Sequence, residues 1–260
     1  MTQEPSSNSI SSPMTGNSLD SYMNTLRGMS PEQLTLAVKK MTLEQKEKLS
    51  QMLAEQAVDR AKDDLLFFLD KMVYTQDEHD SRLPIKPIPM YKQYMRELAY
   101  LFLTEPLLLV EKSRQMMVTW IFVACHLWDA MFHDGRRIFF QSKKEVDADH
   151  LVQRAKIIYE SIPEPYRTII YSRYPARVPM SYLKLEFPQN RSIIQGTAQG
   201  ADVIRQYTAS RIFSDEMGFQ EKAEEAFIAA KPTIVGGGTF IGVSTPNFKN
   251  FWYLLKSDQI

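Results

Sequence analysis

Two short segments of this chain carry residue types and spacing suited to nucleotide chemistry. Arg211-Ile212-Phe213-Ser214-Asp215-Glu216 reads as an apolar strand ending in two adjacent carboxylates. An Asp at a strand tip can hold the Mg²⁺ of a nucleoside triphosphate, directly or through water, and a Glu after it can orient and deprotonate the attacking water. The bland alternative is that Asp215-Glu216 begins a solvated helix. About a hundred residues earlier, Leu107 to Val110 is followed by Glu111-Lys112-Ser113-Arg114-Gln115-Met116-Met117-Val118-Thr119 and then a helix. A phosphate loop needs a strand, backbone N–H groups turned inward, a Lys for phosphate charge and a Ser/Thr for Mg²⁺ at the helix start. The context and Thr119 fit. The G-x-x-x-x-G-K-[ST] pattern does not, because Lys112 stands at the first Gly and Met117 and Val118 stand at the second Gly and the Lys. An ordinary strand-to-helix turn is the competing reading.

The elements that must position these groups alternate. After a Pro-rich joint, Leu83-Pro84-Ile85-Lys86-Pro87-Ile88-Pro89, strands are expected at Leu107 to Val110, Arg137 to Gln141, Tyr182 to Phe187, Ser192 to Gln195, Arg211 to Ser214 and Thr239 to Val243. Helices are expected at Thr119 to Phe132, from a Ser142-Lys143-Lys144-Glu145 capping box to Tyr159, and around Glu221 to Lys231. Alternating apolar strands and helices imply an α/β fold, a mostly parallel sheet flanked by helices, with ligands at the strands' C-terminal ends.

Before the joint lies a helical N-terminal region. Ser30-Pro31-Glu32-Gln33 and Thr42-Leu43-Glu44-Gln45 are two helix starts, and Leu49, Leu53, Val58, Leu65, Phe68 and Met72 follow near helical spacing as a hairpin or one long helix. The expected division is a disordered, Ser/Asn/Thr/Pro-rich tail at 1–21, the helical region at 22–80 and the α/β domain at 81–260.

Lys+Arg and Asp+Glu both number 31 in 260 residues, so no overall basic excess announces nucleic acid. Cys125 is single and sits in an apolar run, which excludes an intrachain disulfide and suits a buried residue in a reducing compartment. No apolar run is long enough to span a bilayer, and the N-terminus lacks a basic-then-apolar signal. Tyr166, Arg167, Tyr171, Arg173, Tyr174 and Arg177 interleave aromatics with Arg, which suits either a DNA-phosphate grip or a solvated loop.

Lys-Ser-Arg-Gln before Thr119, Ile-Phe-Ser-Asp-Glu at 212–216 and Gly242-Val243-Ser244-Thr245-Pro246, in this order and spacing, resemble the ATPase domain of the large terminase subunit, the DNA-packaging motor of tailed bacteriophages and related viruses. The resemblance covers roughly Leu83 to Asn247. It implies an ASCE-like P-loop NTPase core with ATP and Mg²⁺ as cofactors, in which the phosphate-loop Lys can stand at the loop's beginning, as Lys112 does. The roles it implies are phosphate binding by Lys112, Ser113, Arg114, Gln115, Met116, Met117, Val118 and Thr119, and Mg²⁺ binding by Thr119 and Asp215. Glu216 would activate water. Arg114 would act as an arginine finger, in its own subunit or across an interface; Arg205 is a second candidate, or a surface salt-bridge residue.

By the same resemblance Gln93 would read adenine through its amide with Tyr91 stacked on the base, unless both simply belong to an amphipathic helix. Ser244, Thr245 and Pro246 would couple γ-phosphate release to a lid and to DNA-gripping parts; as a bare pattern they are a turn. The implied partners are double-stranded DNA, the portal protein, the small terminase subunit and copies of the chain itself in a ring on the procapsid, with no membrane. The implied location is the host cytoplasm, transiently docked on the portal and not secreted. Only a short stretch follows Pro246, so nuclease activity is not expected of this chain. Two other readings stay open: a helicase-like DNA-dependent ATPase, and a catalytically degenerate ATP-fold binding module, favoured by Met117 and Val118 but not by Glu216.

Overall fold

The computed structural model describes residues 28–77, 80–177, 183–200, 204, 207–247 and 252–253. The expected tail at 1–21, Tyr182 and Arg205 lie outside the described residues. The chain divides into two compact units, Met1–Met52 and Leu53–Ile260. This division falls earlier than residue 80, because the Pro-rich joint does not separate domains. It folds instead as a strand of the second unit.

In the first unit, helix α1 (Pro31–Lys40) starts as expected, with Pro at its first position and a reciprocal box between Ser30 and Gln33. Thr42 and Gln45 repeat the box at the start of α2 (Leu43–Asp63), a helix whose residues from Leu53 on belong to the second unit. Each such cap is worth about 1 kcal/mol. Met41 is buried among Met29, Leu34, Ala37, Leu49 and Met52, a small apolar cluster of this unit alone.

In the second unit, the helical pattern is interrupted once. The side chain of Asp64 accepts a hydrogen bond from the N–H of Phe67 and caps α3 (Leu65–Met72), so the single long helix breaks there. Strands β1 (Tyr74–Gln76) and β2 (Ile85–Pro87) form an antiparallel pair from the Pro-rich joint. Then follow α4 (Gln93–Thr104), β3 (Leu107–Glu111), α5 (Val118–Phe132), β4 (Arg137–Ser142), α6 (Glu145–Glu160) and α7 (Tyr166–Arg173). Strands β5 (Lys184–Phe187), β6 (Ser192–Ala198) and β7 (Arg211–Asp215), helix α8 (Ala223–Val235) and strand β8 (Thr239–Ser244) complete the unit.

The sheet order is β3-β8-β7-β4-β6-β5, with every pairing parallel except β5–β6. One expected detail fails: α6 is capped by Lys144 without a side-chain hydrogen bond, so Ser142 does not form the capping box and instead ends β4. Extending β4 by one residue satisfies Ser142 through the ladder.

Helix α5 is buried over 13 of its 15 residues, so it is apolar all round because it is sandwiched in the core. Cys125 is buried on it, as expected. Trp128 Nε1 donates to Ala61 O at 2.7 Å and fastens α5 to the end of α2. At the other end of the sheet, Asp129 accepts from Arg211 Nε at 2.7 Å, with Arg136 Nε 3.2 Å away and His133 at 3.2 Å. Burial pushes the Asp129 carboxyl up, but the His133 hydrogen bond and the two guanidinium charges together outweigh it and hold the pKa near about 2.

His126, also on α5, stacks on Phe213 at 5.4 Å and meets Phe102 and Phe140 edge-on. Its Nδ1 lies 2.6 Å from Phe122 O, and its Nε2 has no partner among the described residues. Burial, helped by the charge of Arg211, lowers its pKa to about 3. The unfolded chain, with an ordinary imidazole near about 6.5, therefore takes up the proton first, and stability is lost as pH falls from 6.5 toward 3. The upper bound on this slope is about 1.4 kcal/mol per pH unit. His126→Phe is expected to flatten the loss of stability between pH 6.5 and about 5 in denaturant titrations; an unchanged slope would show that His126 is not its source.

Candidate active site

The three strands β3, β8 and β7 run parallel in register, with Glu111 beside Ser244 and Val243 beside Asp215. Their C-terminal ends therefore meet on one edge of the sheet. The phosphate-loop segment, the Asp215-Glu216 pair and the Ser244-Thr245-Pro246 segment are brought together, as the sequence reading expects.

The loop after β3 adopts left-handed backbone at Gln115 (φ 62°) and Met117 (φ 55°). Met117 is the residue before α5, at the position where a phosphate loop usually has Gly. The structure thus has the backbone twist of a Gly with a methionine in place, at a cost of about 1–2 kcal/mol per such residue. Tyr94 Oη donates to Met116 O at 3.1 Å and braces the loop from α4. Lys112 N donates to Ser244 O at 3.0 Å, extending the β3–β8 ladder into the loop.

Thr119, in the first turn of α5, donates to Asp215, with both carboxylate oxygens 3.2 Å away. Asp215 is buried, and burial raises its pKa despite the opposing charge of Lys112. Lys112 Nζ binds Glu216 Oε1 at 2.8 Å, and Glu216 has a left-handed backbone (φ 50°) that turns its carboxylate back toward the loop. The other carboxylate oxygen, Oε2, accepts from Thr245 N and Thr245 Oγ1, both at 3.4 Å. Ser244 Oγ accepts from Gly218 N at 3.0 Å and donates to Thr245 O at 2.8 Å. Ser244 and Thr245 therefore grip the turn that carries Glu216.

A cavity of about 710 Å³ opens beside the loop, lined by Lys112, Gln115 to Thr119, Trp120, Tyr91 and Arg154. The β1–β2 pair supplies its far wall through Thr75, Gln76, Asp77 and Lys86. Ser113 instead lines a smaller hollow of about 260 Å³ shared with α4. Arg114 is exposed and lines neither. Tyr91 is 81% exposed at the cavity mouth, as a base-stacking residue can be. Gln93 is not at the cavity, and its Nε2 donates to Glu97 Oε1 at 2.7 Å within α4. In the aromatic-and-arginine segment, Arg167 pairs with Glu164, Arg173 with Asp59, and Tyr171 stacks on Tyr159.

Sequence reasoning missed Arg154 and the β1–β2 wall. The two strands are only three residues long and the turn at Asp80, whose Oδ1 accepts from Arg82 N and Leu83 N, was not read as one, and Arg154 is one charged residue within a helix. The only cue was its company: α6 turns Leu151, Val152 and Ala155 into the core, so an arginine between them must lie at the margin of that buried face.

No protein-family model matches the sequence, and a search of curated proteins returns no match. Among solved structures, the crystal structure of the HK97 bacteriophage large terminase superposes with a TM-score of 0.56 over 76% of this chain, at 12% identity. The chain has the large-terminase fold. It spans 42% of the HK97 protein. The Thermus phage P74-26 large terminase ATPase domain aligns over 62% of this chain and 72% of its own, at 14% identity and a TM-score of 0.43.

Close packing beneath Glu216 is specific. A Cβ on Gly218 would fall 2.6 Å from Ser244 Oγ, a contact that the hydrogen bond between the two residues leaves no room to relieve. Gly218→Ala is expected to cost about 1–3 kcal/mol of stability, from overpacking. Equilibrium denaturation measures it, and a loss below about 0.5 kcal/mol would mean that Ser244 moves freely.

Proposed function

We propose that this chain is the ATP-hydrolysing motor domain of a large terminase, coupling hydrolysis to translocation of double-stranded DNA into a procapsid. The observation that carries the reading is the meeting of Lys112, the Thr119–Asp215 pair and Glu216 at the C-terminal ends of β3, β7 and β8, with Lys112 and Thr119 lining the cavity. The residues present fit Mg·ATP. Thr119 and Asp215 offer the hard oxygen ligands Mg²⁺ prefers, and a buried carboxyl lacking an ion partner gains from a cation. Among the described residues no cluster of three or more His, Cys, Asp or Glu forms a protein-only metal cage, in keeping with a metal that takes its remaining ligands from phosphates and water. When bound, Mg²⁺ neutralises charge on the phosphate oxygens.

Within that assembly Lys112 and the loop amides hold the phosphates. Glu216 takes the proton of the attacking water, and Thr245 holds its second carboxylate oxygen. The Lys112–Glu216 pair holds the phosphate lysine and the base against each other. Phosphates must draw Lys112 away, which frees Glu216 for water in the same event. Tyr91 stacks on the base. Arg114, exposed on the loop crest, is suited to act on a neighbouring subunit of a ring. The portal protein, the small terminase subunit and double-stranded DNA are the partners this reading assigns, in the host cytoplasm at the procapsid portal.

The deciding test is ATP turnover with and without double-stranded DNA. Glu216→Gln is expected to lower turnover by roughly 10²–10⁴-fold. Because a neutral amide releases Lys112 more easily, the same variant should bind ATP as tightly as the wild type or more tightly. Lys112→Ala should lose binding and turnover together. Wild-type protein without binding or turnover would refute the motor reading.

A further inference from the structure

We propose that Arg154 is a phosphate-contacting residue of this site, laying its guanidinium on the terminal phosphate of a nucleoside triphosphate. The assignment rests on the ATPase reading above and adds to it a residue that no loop motif identifies. Four cations line the cavity: Lys86, Lys92, Lys112 and Arg154. Lys86 is neutralised by Asp77 at 2.9 Å and Asp80 at 2.8 Å. Lys112 is neutralised by Glu216. Lys92 is exposed at the mouth, at the N-cap of α4. Arg154 is partly buried and, among the described residues, makes no ion pair and no hydrogen bond.

Five other arginines of the unit have carboxylate partners: Arg211 and Arg136 share Asp129, Arg60 binds Asp64, Arg167 binds Glu164 and Arg173 binds Asp59. Arg137 lies over Tyr207 without an ion pair, as Arg154 lies over Trp120, but of the two Arg154 is the one that lines the cavity. A guanidinium left without a counter-ion in a cavity is a standing electrostatic cost that an anion removes. Its central carbon lies over the ring of Trp120, 5.5 Å from the centroid, a cation–π contact that uses none of its N–H donors. Trp120 follows Thr119 in the first turn of α5, so the fork is anchored at the end of the cavity where the loop would cradle phosphates. Its charge also bears on Asp215. Five donors in a rigid plane suit the equatorial oxygens of a terminal phosphoryl group. Arg114, exposed and outside the cavity, leaves that place in its own subunit to Arg154.

The test is fluorescence titration with N-methylanthraniloyl ATP and ADP in excess Mg²⁺, comparing wild type with Arg154→Ala, Arg154→Gln and Arg154→Lys. A terminal-phosphate contact predicts a loss of at least about 10-fold in triphosphate affinity for the Ala and Gln variants, with diphosphate affinity changed by less than about 3-fold. The Lys variant should recover part of the difference, since it keeps the charge but not the fork. Arg154→Gln keeps much of the stem against Trp120, so it reports on the contact even if the Ala variant does not fold. Equal losses for both nucleotides would assign Arg154 to packing or to Asp215 and overturn the proposal, as would unchanged affinities. Wild-type protein that binds neither nucleotide would overturn the ATPase reading as well, whereas a bound wild type with an unchanged preference refutes Arg154 alone.

Discussion

Parallel register fixes this site. Because β8 lies between β3 and β7 and pairs in step with both, the residues that leave the three strands at their C-terminal ends leave at one level. Lys112, Glu216 and Thr245 are then neighbours although more than a hundred residues separate the first two. A slip of one residue in either pairing would turn Asp215 to the opposite face and carry Ser244 away from Gly218. The register is pinned from beneath by side chains that alternate into two apolar layers, Phe213, Ile241 and Val243 on one side and Ile212 and Phe240 on the other. The chemistry at the edge is thus paid for by burial in the middle.

That edge is held under tension. Gln115, Met117 and Glu216 all sit at positive φ without being glycine, a conformation that persists only where the surroundings over-determine it. Each has an identifiable restraint nearby: Tyr94 on the carbonyl of Met116, the start of α5 after Met117, and Lys112 with Thr245 on the two oxygens of Glu216. Buried Asp215 adds an electrostatic cost, since burial disfavours its charged form. The charges of Lys112, just after β3, and of Arg154, on α6, both oppose that cost.

Much of the sheet was legible in the sequence. Apolar tetrads and pentads bounded by turn residues gave β3, β4, β7 and β8 nearly to the residue; for β4, β7 and β8 the reason is burial on both faces, whereas β3 is a partly exposed edge strand. Both N-terminal capping boxes were legible, since their hydrogen bonds are local. What was not legible depended on distant partners. Ser142 carried the signature of a helix cap, but a ladder beside β6 satisfied its backbone first. The Pro-rich joint carried the signature of a linker, yet Ile85, Lys86 and Pro87 find partners in Tyr74 to Gln76. Gln93 differs, since its partner is local: its amide donates to Glu97, an i+4 neighbour on its own helix. Arg154 had only its buried neighbours Leu151, Val152 and Ala155 as a cue; its place over Trp120 comes from the folding of α6 against the first turn of α5.

The departure of the loop from G-x-x-x-x-G-K-[ST] is smaller in three dimensions than in one. What such a loop requires is a backbone that turns left-handed just before the helix, a cation within reach of the phosphates and a hydroxyl at the helix start. Met117 supplies the turn at a steric cost, Thr119 supplies the hydroxyl, and Lys112 reaches the carboxylate pair from the opposite end of the loop on a stem long enough to touch Glu216. Val118, standing where the motif lysine would be, is buried in the core instead. Moving the lysine to the strand side frees the first helical position for packing, and it ties the lysine's backbone to β8 through Ser244 O. The cation and the Thr245 segment that grips Glu216 then ride on the same pair of strands, so a shift of β8 relative to β3 would be felt at both at once.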